Sequence, residues 1–161
     1  MRRVPHLAFW LSLLLALFLQ MIVLPDSVAA VRPLWIPLVL AFWALQDPRL
    51  PTLLASFLFG IMLDVLFDSI LGQHALGCVL CTYIVIKLRG LFILFPLWQS
   101  TVALVPVWVI YAFLMFWIDG VAKHQADAWL RWLPVASSTL FWPLIFVLLD
   151  SYLRRRQRSQ E

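Results

Sequence analysis

Apolar residues run almost unbroken from Leu7 to Leu149, and the breaks between runs are short, polar and often marked by proline. The runs are Leu7–Leu24, Leu34–Leu45, Thr52–Phe67, Leu71–Ile86, Leu91–Ile118 and Trp132–Leu149. Such a chain cannot wet its surface as a soluble domain, because 64% of its 161 residues are hydrophobic and only 12% are charged. A helical bilayer crossing takes about 20 apolar residues, whereas closed barrels read as weak alternating segments. The expectation is an all-α polytopic membrane protein with six transmembrane helices, spanning about 7–24, 34–45, 52–67, 71–86, 97–118 and 132–149. Residues 1–153 make one transmembrane domain and 154–161 a basic cytoplasmic tail. That leaves no room for a separate soluble catalytic domain.

The first run follows Met1-Arg2-Arg3 and precedes Ser27-Val28-Ala29, which together resemble a signal peptide. Its length exceeds the usual apolar core of about 7–15 residues, so an uncleaved first span is expected. Ala8, Ser12 and Ala16 recur every fourth residue and give that span a face that a neighbouring helix can approach closely. Pro25-Asp26-Ser27 makes the first turn. The second run enters through Arg32-Pro33, with the proline in the first helical turn. It is short for a crossing, and Pro37 is placed to bend it, so it is tilted or partly re-entrant. Gln46–Pro51 is a polar break. Lys87-Leu88-Arg89-Gly90 should stop the fourth helix. Pro96 should divide an interfacial piece from the fifth span, which Pro106 kinks. Asp119–Arg131 is the longest polar loop, Pro134 and Pro143 mark the last span, and the tail after it should fray.

Charge position sets the orientation. With six spans, one side carries Arg2, Arg3, Arg49, Lys87, Arg89 and four tail arginines, and the other carries Arg32, Lys123 and Arg131. The positive-inside rule then places both termini in the cytoplasm. Trp10, Trp43 and Trp98 should lie near the inner interface, and Trp35, Trp117, Trp129 and Trp132 near the outer one. The net charge of +4 is thus a topology signal rather than a nucleic-acid patch. The basic tail meets anionic headgroups by default.

One acid breaks the pattern. Asp64 lies well inside the third run, and Ser56, Gly60, Asp64 and Asp68 recur every fourth residue, a polar stripe on one helix face. The opposite face holds Phe57, Phe59, Ile61, Met62 and Leu66. Such a stripe turns towards other helices or water rather than lipid. Asp64 then needs a donor, a cation or a proton, and Arg32, His74 and Gln20 are the available partners. No second intramembrane acid or polar run supplies a pathway for protons or ions. Asp64, Asp68 and His74 match no zinc spacing. Cys78 and Cys81 read as small packing residues on one face. His6 and His124 are surface residues, and the chain lacks the nucleophile elbow, the His-Glu-x-x-His helix and a glycine-rich phosphate loop. Neither catalysis nor a cofactor is expected.

Leu7–Gln20, Arg32-Pro33-Leu34-Trp35, Gly60-x-x-x-Asp64, Leu71-Gly72, Ala75-Leu76, Trp98-Gln99 and Trp142-Pro143, in that order, resemble the bacterial rod-shape-determining MreD family. Asp68 and His74 lie outside the matching pattern, and Ser56 stands where members can have glycine. The resemblance implies a non-enzymatic inner-membrane component of the machinery that elongates rod-shaped cells. Its implied partners are the bitopic protein MreC and, through it, the filament protein MreB, the glycosyltransferase RodA and the elongation transpeptidase. The family's bundle is similar to the substrate-binding subunits of energy-coupling-factor vitamin transporters, so a small-molecule-binding membrane subunit is the alternative. Residues expected to pack helices or dock a partner are Ala8, Ser12, Ala16, Arg32, Pro33, Trp35, Ser56, Gly60, Asp64 and Gly72.

Overall fold

The computed structural model describes residues 6–22, 25, 31–92, 94–121 and 132–158, with side chains of the last stretch through Arg155. Arg2, Arg3, Asp26–Ala29, Lys123, His124, Trp129 and Arg131, which enter the expectations above, lie outside the described residues. The described chain forms six helices: α1 (His6–Met21), α2 (Trp35–Gln46), α3 (Thr52–Leu66), α4 (Gln73–Phe92), α5 (Leu97–Val121) and α6 (Leu133–Arg158). Three of them, α4, α5 and α6 as far as Arg155, are long and apolar enough to cross a membrane. The other three are shorter apolar helices.

At 12 residues, α2 is the shortest helix, about 18 Å long at ~1.5 Å per residue. It occupies the centre. Every side chain from Ile36 to Ala44 is buried, as expected of a helix that is apolar all round. It packs on α1, α3, α4 and α6, while α1 leans on α3, α3 on α4, α4 on α5 and α5 on α6. The outer helices therefore form a ring around α2 that stays open between α1 and α6. Aromatic rings link the elements across the core. Phe59 stacks near Trp10, whose neighbour Phe9 meets Trp43, and Phe42 meets Phe146. Phe146 in turn meets Trp142, which lies 6.4 Å from Trp108. Such edge and offset contacts suit the ring quadrupoles.

Several sequence expectations need correction. Pro33 precedes α2, and Pro37 takes the first-turn position instead, where a missing N–H costs little. Trp43 is enclosed by the bundle. It is 1% exposed, and its indole N–H donates to Ser12 Oγ at 2.8 Å. Phe59 is buried against Trp10 rather than on the greasy outer face. Helix α4 runs through Lys87–Gly90 to Phe92, and Arg89, in its last turn, donates to Leu45 O of α2. Leu91 and Phe92 accordingly close α4 and are not an interfacial piece of the next segment. The basic tail extends α6 to Arg158, aided by the Arg154–Asp150 pair at 2.7 Å, four residues apart on one face.

Candidate functional site

Helix α3 buries Thr52, Ala55, Ser56, Phe59, Gly60, Leu63 and Asp64, spacings of three and four that define one face. Ser56, Gly60 and Asp64 of the expected stripe lie on it. Asp68 does not, since α3 has already ended and Asp68 sits exposed in the left-handed region at φ 49°. Gly60 brings the two helices together. A Cβ there would fall 2.7 Å from Ala75 N and closer still to Ala75 Cα, so α3 and α4 touch backbone to backbone. Ser56 satisfies its hydroxyl locally by donating to Leu53 O.

Asp64 joins the end of α3 to the start of α4. Its carbonyl accepts from Ser69 N at 3.0 Å, while Phe67 N donates to Leu63 O at 2.9 Å. With Asp68 in the left-handed region, the bond from Ser69 N to Asp64 O turns the chain out of α3. The carboxylate points into the first turn of α4. Oδ2 accepts from Gly72 N at 2.8 Å and more weakly from Ala75 N at 3.4 Å, and Oδ1 accepts from His74 N at 2.7 Å. These are amides that a helix start leaves without intrahelical partners, and the helix dipole favours an anion there. Gly72, at φ 98°, is the residue whose turn aims its N–H back at the carboxylate. His74 Nδ1 lies 2.9 Å from Oδ1, and Ser69 Oγ donates to the same oxygen at 3.0 Å. Asp64 itself is 1% exposed.

Of the three partners open to Asp64 in the sequence, the fold selects His74. Arg32 goes elsewhere. Its Nη1 donates to Gln20 O at 2.6 Å and its Nη2 to Ile22 O at 2.7 Å, capping the carbonyl end of α1. Gln20 uses its side-chain oxygen on Trp35 N at 3.4 Å. Ser138 of α6 accepts from Leu34 N at 2.9 Å, so the amino end of α2 is held by side chains of two other helices. Arg89 completes the scheme at the opposite end, donating from Nε to Leu45 O at 2.8 Å and from Nη2 to Gln46 O at 3.1 Å. No sequence signal marks the Arg89 or Ser138 contacts, which join residues more than forty positions apart. Asp64 and Arg89 thus each cap a helix other than their own, and Arg32, from the segment before α2, caps α1, the anion at an amino end and the cations at carbonyl ends.

The remaining expected residues are placed as follows. Ala8 and Ala16 are buried, and Ser12 donates to Phe9 O while accepting from Trp43. Trp35 is half-buried edge-on to Phe141 at 5.4 Å, and Pro33 is buried. Gln73, which sequence reasoning missed, reaches Asp119 Oδ1 at 2.9 Å and ties α4 to α5. Cys78 and Cys81 are buried free thiols.

Ser69, His74 and Asp64 share residue types with a hydrolytic triad but not its geometry. Serine and carboxylate both sit on the Nδ1 side of the imidazole, whereas a relay needs them on opposite nitrogens. The amides that an oxyanion would need are held by the carboxylate. Beside His74, a cavity of about 190 Å³ is lined by Gln20, Leu34, Leu63, Tyr111 and Met115.

Comparison with known proteins agrees with the sequence reading. The chain matches the family described as rod shape-determining protein MreD over residues 1–152. It is similar to the rod shape-determining protein MreD of Haemophilus influenzae, with 28% identity over 150 residues that cover 91% of this chain and 93% of the relative. No solved structure matches it.

Proposed function

The chain belongs to the MreD family of rod shape-determining proteins, and from that premise we propose that it is a non-enzymatic scaffold of the cell-wall elongation complex. The family is a shape-determining membrane family and not a known enzyme family. In this reading the chain crosses the inner membrane six times with both termini in the cytoplasm. The cation asymmetry in the sequence, nine on one side against three on the other, supports that orientation. The chain binds the transmembrane segment of MreC and helps to organise peptidoglycan synthesis, with MreB, RodA and the elongation transpeptidase as direct or indirect members of the assembly.

The observation that carries the scaffold reading is the saturation of Asp64. An intramembrane carboxylate that serves protons or ions needs open coordination or a polar path. Asp64 instead accepts from backbone amides, Ser69 and His74 of its own chain. Its charge supports architecture, on which a docking surface can rest. The test is to express Asp64→Leu in rod-shaped cells and follow shape, membrane insertion and MreC co-purification. The expected result is rounded cells and weakened MreC association with insertion retained. Normal rods with undiminished MreC recovery would sink the role given to Asp64.

The cavity beside His74 is the feature on which a second reading would rest, a small-molecule-binding subunit like those of energy-coupling-factor transporters. Its ~190 Å³ is below the roughly 300–1,000 Å³ of ordinary ligand pockets. A thermal-shift screen of vitamins and lipid-linked precursors decides between them. A saturable rise of several degrees with one compound would establish the ligand reading.

A further inference from the structure

The open side of the helix ring is a defined groove. Helices α1 and α6 both pack on α2 and not on each other. Between them lies an apolar groove of about 300 Å³, floored by Trp35 and Val39 and walled by Ser12, Ala16, Leu144 and Leu148. The Ser12 hydroxyl is already committed to Phe9 O and Trp43 Nε1, so it offers the groove no free donor. Beyond the groove, the same face of α6 changes character in order. Leu144, Leu148, Tyr152 and Arg155 follow at spacings of four, four and three and line up on one side of the helix. Tyr152 and Arg155 are exposed. Arg155 stands about 10 Å past Leu148, at ~1.5 Å per residue. Arg154 is held by Asp150 at 2.7 Å, whereas Arg155 makes no ion pair among the described residues.

We propose that this groove holds one acyl chain of an anionic phospholipid whose phosphate is bound by Arg155. The inference rests on the membrane reading of the chain and is independent of MreC binding. The order along α6, apolar wall, aromatic hydroxyl, then cation, matches the order of a lipid from acyl chain through ester region to phosphate. Basic residues beside clefts between membrane helices are the usual seats of anionic headgroups, and tyrosine favours the interfacial level. A helix from a partner, with a diameter of about 10 Å, would lie over the groove without filling it and would have to bring its own anion to Arg155.

The experiment uses the full chain in detergent, titrated with phosphatidylglycerol or phosphatidylcholine of identical acyl chains and read by native mass spectrometry. The wild type should retain one phosphatidylglycerol with at least tenfold preference over phosphatidylcholine. Leu144→Trp and Leu148→Trp narrow the groove at exposed positions on its wall and should reduce retention of both lipids at least fivefold. Val147→Trp adds the same bulk to an exposed α6 position that does not line the groove, and should change retention less than twofold. Arg155→Gln should bring the preference close to one while retention of phosphatidylcholine persists. Arg154→Gln should leave the preference within twofold. Equal retention of the two lipids by the wild type overturns the proposal, and so does tryptophan at 144 and 148 without effect. If those tryptophans leave lipid retention intact but abolish association with another membrane protein, the groove belongs to a helix and the lipid assignment fails.

Discussion

At Asp64 the backbone carbonyl and the side chain have separate tasks, one ending α3 and the other starting α4. Removing the side chain leaves the amides of Gly72 and His74 without acceptors, and each unsatisfied buried group costs about 1–3 kcal/mol. Asp64→Ala should therefore lower stability by roughly 3 kcal/mol or more, visible as a drop in the melting temperature of the detergent-purified protein. His74→Ala should cost less, because the backbone donors to the carboxylate survive it. Gly60→Ala should cost about 1–3 kcal/mol by overpacking, and Ala75→Gly should not rescue it, since the obstructing atoms are Ala75 N and Cα. Melting curves of the single and double variants distinguish the cases. At this scale the sequence was informative about the acid and silent about its partners. A carboxylate in an apolar run with small residues every fourth position marks a buried seam. Its main donors, however, are backbone amides at Gly72 and His74, and an amide leaves no trace in a sequence.

Helix α2 shows why some elements were legible and others were misread. Apolar runs located all six helices, but α2 is apolar on every side, so no period told its lipid-facing side from its buried one. Only the fold reveals that all of Ile36–Ala44 is interior. A helix of about 18 Å is shorter than a hydrocarbon layer of about 30 Å. In the proposed six-span arrangement the backbone groups at the ends of such a helix gain from partners on other helices. Arg89 is such a partner at the carbonyl end. Arg89→Ala should open that end and speed hydrogen exchange of the amides in the last turn, residues 43–46, at least tenfold. Arg89→Lys should fall between, because an ammonium cannot reproduce the two-pronged geometry of a guanidinium. Exchange read by mass spectrometry in lipid nanodiscs measures both. The sequence placed Arg89 as a stop signal because a cation near a glycine usually marks its own helix end, and here the same chemistry acts on a neighbour.

On the scale of the whole molecule, alternation of helix direction puts Arg32, Asp64, His74 and Asp119 at one end of the bundle and Gln46, Arg89 and the tail of α6 at the other. Single cysteines in a Cys78→Ala/Cys81→Ala background should follow the same division. A cysteine at position 6 and one at position 152 should be labelled from the cytoplasm by a membrane-impermeant maleimide, and one at position 68 from the periplasm. Labelling of 6 and 152 from opposite sides would contradict the proposed six-span topology. The bond from Arg89 to Leu45 also has a consequence for how the protein is made. Translation delivers α2 about 44 residues before the arginine that closes its end, so a nascent chain halted short of Arg89 holds its central helix with bare carbonyls. The capping of the central helix is therefore completed only when the fourth helix arrives. Chains arrested before residue 89 should be cut readily by protease at 46–51, and chains arrested well beyond it should resist.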